Sequence, residues 1–119
     1  MPFHYILANL LAQTGAAGVL FLDNTGETVD VTCSDFTPYE MRVLGAYLGI
    51  YLRQVASFVE SQGLGDARLV HIEKDRLHVF ALPLPEGYYL VLVQRRPALV
   101  GRARLQLGQA AEQLVSALF

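Results

Sequence analysis

The chain has 119 residues, 53% of them hydrophobic and only 17% charged, with nine basic against eleven acidic side chains. That length suits one domain able to build its own core, and a net charge of −2 gives no pull toward nucleic acid or an anionic membrane. Cys33 is the only cysteine, which excludes an intrachain disulfide, and no apolar run approaches the ~20 residues needed to span a bilayer.

These features predict a single domain over residues 1–119 in the reducing cytoplasm. Met1 to Leu11 lacks the charged start and cleavage pattern of a secretory signal. Charged residues usually make up about 25% of a chain. With fewer here, some apolar surface is expected to face a partner.

In chain order, Phe3, Ile6, Leu7, Leu10 and Leu11 recur at helical spacing, predicting a helix from Phe3 to Gln13 that stops at Gly15. A hairpin follows, roughly Ala17 to Asp23 and Glu27 to Cys33, turning at Asp23-Asn24-Thr25-Gly26. Thr28, Asp30 and Thr32 share one side of its second strand, as on a sheet edge. Thr37, Pro38 and Glu40 then form a cap, a first-turn proline and a capping-box acid for a helix running to about Gln62. Three strands with short turns come next: Ala67 to Lys74, Leu77 to Pro83 and Tyr88 to Arg95. Short turns make them an antiparallel meander. Pro97 is expected to break the last strand, and Leu99 to Phe119 to form the last helix on a stripe of Val100, Ala103, Leu107, Ala110, Leu114 and Leu118. Gly101 and Gly108 inside it suggest close approach to the sheet. The result is an α+β fold: a five-stranded antiparallel sheet with helices on both faces, since both sides of the last two strands are apolar.

The long central helix carries more apolar surface than docking requires. Met41, Leu44, Leu48, Leu52, Val55 and Val59 make one stripe. Val43, Tyr47, Ile50, Tyr51 and Phe58 widen the arc to about half the circumference, and rigid aromatics of this kind are enriched at interface centres. The expected reading is self-association. The strand from Arg68 to Lys74 opens the meander and is placed at the other sheet edge, where a second copy could pair.

No catalytic constellation is present in the sequence. His4, His71 and His78 lack metal-ligand spacing; His71 and His78 could meet across the meander turn, but no Cys or close carboxylate completes a zinc site. Cys33 reads as a small buried or edge thiol, Asp23 as a turn acceptor and Glu40 as a helix-start acid. Gly15 to Gly18 precedes a strand rather than following one, unlike a phosphate loop. Arg95, Arg96, Arg102 and Arg104 cluster without interleaved aromatics, which favours a solvated surface over a nucleic-acid patch. No catalytic residue, metal or cofactor is expected.

The run Gly18-Val-Leu-Phe-Leu-Asp-Asn-Thr-Gly-Glu27, the long helix after it, and Tyr88-Tyr-Leu-Val-Leu-Val93 leading to Gly101-Arg-Ala-Arg104 resemble the Roadblock family. This is the dynein light chain and bacterial gliding-regulator group, whose layout is profilin-like. The resemblance spans nearly the whole chain. It implies homodimers, or heterodimers between paralogues, in which the first meander strand joins two sheets and the paired long helices form a platform. It further implies a non-catalytic module that binds a small Ras-like GTPase and regulates it, sometimes as an activating protein. The alternative it leaves is a structural scaffold or dimerisation subunit without effect on GTP hydrolysis. The expected dimer or partner interface comprises Val43, Tyr47, Ile50, Tyr51, Gln54 and Phe58 on the helix, and Arg68, Val70, Ile72 and Lys74 on the strand. Arg42 and Arg53 lie on the polar side of the helix, read as a solvated face rather than an arginine finger.

Overall fold

The computed structural model describes residues 3–96 and 99–119. Helix α1 (His4–Thr14) leads into the hairpin β1 (Gly18–Leu22) and β2 (Thr28–Cys33). Helix α2 (Pro38–Ser61), the meander β3 (Val70–Glu73), β4 (Leu77–Pro83) and β5 (Tyr89–Arg95), and helix α3 (Val100–Leu118) follow. The strands form one antiparallel sheet in the order β2-β1-β5-β4-β3, so β2 and β3 are its edges, as expected.

Local chemistry explains the boundaries. Gly15 ends α1 in the left-handed region (φ 64°), and its N–H donates to the Leu11 carbonyl at 3.0 Å. The predicted capping box opens α2: the Glu40 N–H donates to Thr37 Oγ1 at 3.1 Å, and the Thr37 N–H donates to Glu40 Oε1 at 2.9 Å. In the hairpin turn, Asp23 Oδ1 accepts from the Thr25 N–H, the Thr25 hydroxyl and the Glu27 N–H at 2.9, 2.7 and 3.0 Å. The hydroxyl of Thr25 is the main cause that holds the Asp23 carboxyl below its ordinary value, against an opposing push from burial.

The sheet is apolar on both faces and helices cover both. Val19, Phe21, Phe80, Leu90 and Leu92 pack under α1 and α3. Leu20, Leu22, Val79, Ala81, Val91 and Val93 pack with Met41, Leu48 and Leu52 of α2.

Three expectations are corrected. β3 covers Val70–Glu73, not Ala67 to Lys74. Val70 pairs with Ala81, so continuing the register would set position 68 opposite Pro83, which has no N–H for the ladder. Leu118 leaves the α3 stripe and is 39% exposed, while Ala111 joins Ala103, Leu107, Ala110 and Leu114 in the core. Gly101 and Gly108 make no close approach among the described residues: a Cβ at either would meet none of their atoms within 4 Å outside the helix's own backbone. The close approach lies on α2 instead, where a Cβ on Gly45 would sit 2.5 Å from Leu20 Cδ2 and one on Gly49 3.0 Å from the Gly26 Cα. The expected strand break at Pro97 lies outside the described residues.

Candidate interaction surface

At ~1.5 Å per residue, the 24 residues of α2 span about 36 Å, enough to cross the sheet. Met41, Gly45, Leu48, Gly49 and Leu52 are buried, and Leu44, Val55 and Val59 are half-buried beside them. This inward stripe follows the helical period and consumes the docking face. The opposite side stays open: Tyr47 is 73% exposed and Phe58 59%, with Val43, Ile50, Tyr51 and Gln54 also exposed. Tyr39, not anticipated from the sequence, adds a further exposed ring at the start of α2. Large rings gathered on one helix face exceed the scattered apolar residues normal on a monomer surface.

β3 contributes to the same side of the sheet. Val70 and Ile72 pair with Ala81 and Val79, which belong to the α2-side core. Alternation therefore turns Val70 and Ile72 toward the α2 side and His71 and Glu73 toward the α1–α3 side. α2 lies chiefly over β1 and β2, and Val70, Ile72, Leu77 and Tyr89 are only half-buried beside the core. Burial pushes the Tyr89 phenol above its ordinary value. Among the described residues, β3 has a strand on one side only.

The two charged members of the expected set are placed elsewhere. Arg68 precedes β3 and lines a cleft against α3 with Leu69, Leu82, Gly101, Arg104 and Leu105. Lys74 lies in the β3–β4 turn, where its N–H donates to the Leu77 carbonyl at 2.8 Å. The structure thus gathers the six α2 residues, Val70 and Ile72 on one side of the sheet, but not Arg68. Arg42 and Arg53 are exposed on α2, with Arg53 reaching toward the hairpin turn at Gly26.

The arginines near the end of β5 are held separately. Arg95 pairs with Asp35 and lies 4.9 Å over the Phe36 ring. Arg96 pairs with Glu73, and Arg102 Nε donates to the Gln13 carbonyl at 3.2 Å. Cations bound to different protein groups do not make one phosphate cradle. His71 and His78 do meet across the turn, at 2.9 Å. No group of three His, Cys, Asp or Glu that could hold a metal occurs among the described residues. Cys33 is half-buried at the end of β2, against the α2-side core.

Sequence reasoning missed how α2 is seated. Gly45 and Gly49 fall four apart on one helix face, and that spacing was the available signal. Gly49 brings the α2 backbone onto the backbone of Gly26, so the helix rests directly on the hairpin turn. This seating fixes which side chains of α2 remain outside.

No protein-family model matches the sequence, and no curated protein does. Solved structures do match. Myxococcus xanthus MglB superposes with a TM-score of 0.90 over 98% of this chain and 94% of that one, at 13% identity. An MglB described as having a tetrameric arrangement gives 0.87 at 20% identity, covering 97% and 86%. A Roadblock/LC7 domain from Streptomyces avermitilis gives 0.85 at 17% identity, covering 97% and 96%. In the course of its backbone over nearly its whole length, this chain has the Roadblock/LC7 fold of the MglB type.

Proposed function

We propose that this chain pairs with a second copy, or with a paralogue, through the outer face of α2 and the β3 edge. In this reading the paired helices form a platform that binds a small Ras-like GTPase in the cytoplasm and regulates its GTP hydrolysis, while the chain supplies no catalytic residue. The observation that carries it is the aromatic face of α2, directed away from its own sheet. Tyr47, Tyr51 and Phe58 are each about half exposed or more. Six such rings meeting at a two-fold would cover roughly 700 Å², a large part of the ~1,200–2,000 Å² of a stable interface. The fold shared with MglB, one example of which is tetrameric, supports self-association. The resemblance to the Roadblock family supports the GTPase.

Sedimentation of the purified chain at micromolar concentration tests pairing, and a monomer rejects it. Single-turnover GTP hydrolysis by a Ras-like GTPase of the same organism, with and without this chain, tests regulation. Binding without a rate change leaves the scaffold; absence of binding removes the GTPase.

A further inference from the structure

We propose that His71, His78 and Arg96 form a proton-operated latch that weakens pairing at the β3 edge when the surroundings turn acidic. The proposal rests on the pairing described above and adds its regulation.

The geometry fixes where the protons sit. His78 on β4 is only 5% exposed. Its Nε2 lies 3.2 Å from Arg96 Nε, and its Nδ1 lies 2.9 Å from His71 Nε2. A guanidinium Nε always carries hydrogen, so His78 Nε2 must accept. A neutral imidazole has one N–H, so that of His78 is on Nδ1 and donates to His71 Nε2. His71 then carries its own on Nδ1. All donors point one way, from Arg96 outward to the edge strand, and both rings are neutral.

The surroundings of the pair are well defined. Glu73 on β3 stands opposite His78 in register and is ion-paired with Arg96. Phe80 on β4 stacks on His71 with ring centroids 4.3 Å apart. Arg104 on α3 adds a second positive charge near His71. Gln94 on β5 faces His78 in register and is uncharged, its amide nitrogen donating to the Thr14 carbonyl at 3.1 Å. The Arg96 N–H donates to the Arg76 carbonyl at 3.0 Å, tying that residue to the β3–β4 turn.

Each acceptor nitrogen of the pair is already in use, and the buried side-chain acceptor left without a partner among the described residues is Gln94 Oε1, opposite His78 in register. An added proton placed on His71 Nε2 meets the N–H of His78, whose hydrogen must then move to Nε2 and meet Arg96. Placed on His78 Nε2, it meets Arg96 directly. Either way Arg96 is driven off His78. The charge of the cluster rises from +1 (Arg96 and Arg104 against Glu73) to +2. Shielding of His71 by the protein, then His78, Arg104 and Arg96, already push its imidazole below the ordinary value. β3 has only four residues. Any two-fold pairing of this edge therefore sets the two clusters within roughly 13 Å, where like charges repel at low salt.

The test is sedimentation of the intact chain at low ionic strength, in steps from about pH 7.5 to about pH 5, so that the series passes below the ordinary imidazole value toward the lowered one of His71. The dimer dissociation constant is expected to rise about ten-fold or more on acidification, and less than about two-fold in the double variant His71→Phe with His78→Phe, which keeps two rings in place but leaves the pair no proton-binding nitrogen. An unchanged constant in the parent chain, or a variant that follows the parent, overturns the latch while pairing stands. A monomer at every pH of the series overturns pairing and the latch with it. Nitrogen-15 spectra at about pH 7.5 should show Nδ1–H on both histidines; hydrogen on Nε2 of His78 overturns the proton chain independently of assembly.

Discussion

Gly45→Ala and Gly108→Ala add the same methyl group to two helices of this fold, yet the structure assigns them opposite effects. At Gly45 the new Cβ would stand 2.5 Å from Leu20 Cδ2 and 3.1 Å from Leu22 Cδ2, and both leucines are fully buried. Carbon atoms in contact settle at about 3.5–4.0 Å, so Leu20 must retreat by about 1 Å into a close-packed layer. Overpacking of this kind costs about 1–3 kcal/mol. Better helix propensity returns about 1 kcal/mol, leaving a net loss of up to about 2 kcal/mol. At Gly108 none of the described atoms outside the helix's own backbone lies within 4 Å and the backbone is helical, so only the propensity gain of about 0.5–1 kcal/mol remains. For a domain of this size, 1 kcal/mol moves the melting temperature by about 4 °C. Circular dichroism melts should fall by up to about 8 °C for Gly45→Ala and rise by about 2–4 °C for Gly108→Ala. All samples must share one concentration, because self-association would shift every melt. If Gly45→Ala melts higher than the parent, α2 is not pressed onto β1 there; if Gly108→Ala melts lower, α3 sits closer to other residues than the structure shows.

Tyr47→Asp combined with Tyr51→Ala should leave the monomer folded, since both rings are exposed, but weaken pairing at least about 30-fold, the scale of one interface hot spot. Unchanged sedimentation of that double variant would move the interface off α2. Thr37→Ala should cost about 1 kcal/mol in urea unfolding and Thr37→Ser much less, because the hydroxyl alone caps Glu40. Asp23, held low by the Thr25 hydroxyl, binds a proton less readily folded than unfolded. It therefore stabilises the fold above the ordinary carboxylate value, and that contribution is lost as pH falls through its folded value. Urea midpoints from about pH 5 to about pH 2 should fall less steeply in Asp23→Asn than in the parent chain; equal slopes would remove Asp23 from the acid transition.

Much of the fold is local and was legible without coordinates. Thr37, Pro38 and Glu40 lie within four positions, so their capping box needs no distant partner. The same holds for Asp23 and its turn. Alternation in Leu77 to Pro83 and Tyr89 to Arg95 announced a sheet covered on both faces, because a strand sends successive side chains to opposite sides. Even the exposed arc on α2 could be drawn on a helical wheel, since more apolar residues were present than one face can dock.

Other features depend on residues brought together from distant parts of the chain. β3 stops where Pro83, on another strand, ceases to offer an N–H. That shortening places Arg68 against α3, although its position in sequence suggested the edge strand. His71 and His78 form a directed proton chain only because Arg96, eighteen residues beyond His78, reaches His78 Nε2. The spacing of Gly45 and Gly49 marks a close-approach face on α2, but that Gly49 meets Gly26 of the hairpin turn is set by the tertiary fold. Composition and periodicity thus determined that the chain folds as a two-faced α+β sheet with apolar surface to spare. Tertiary packing decided which of that surface stays outside, because exposure belongs to a side chain's neighbours and those are set by contacts between segments far apart in the chain.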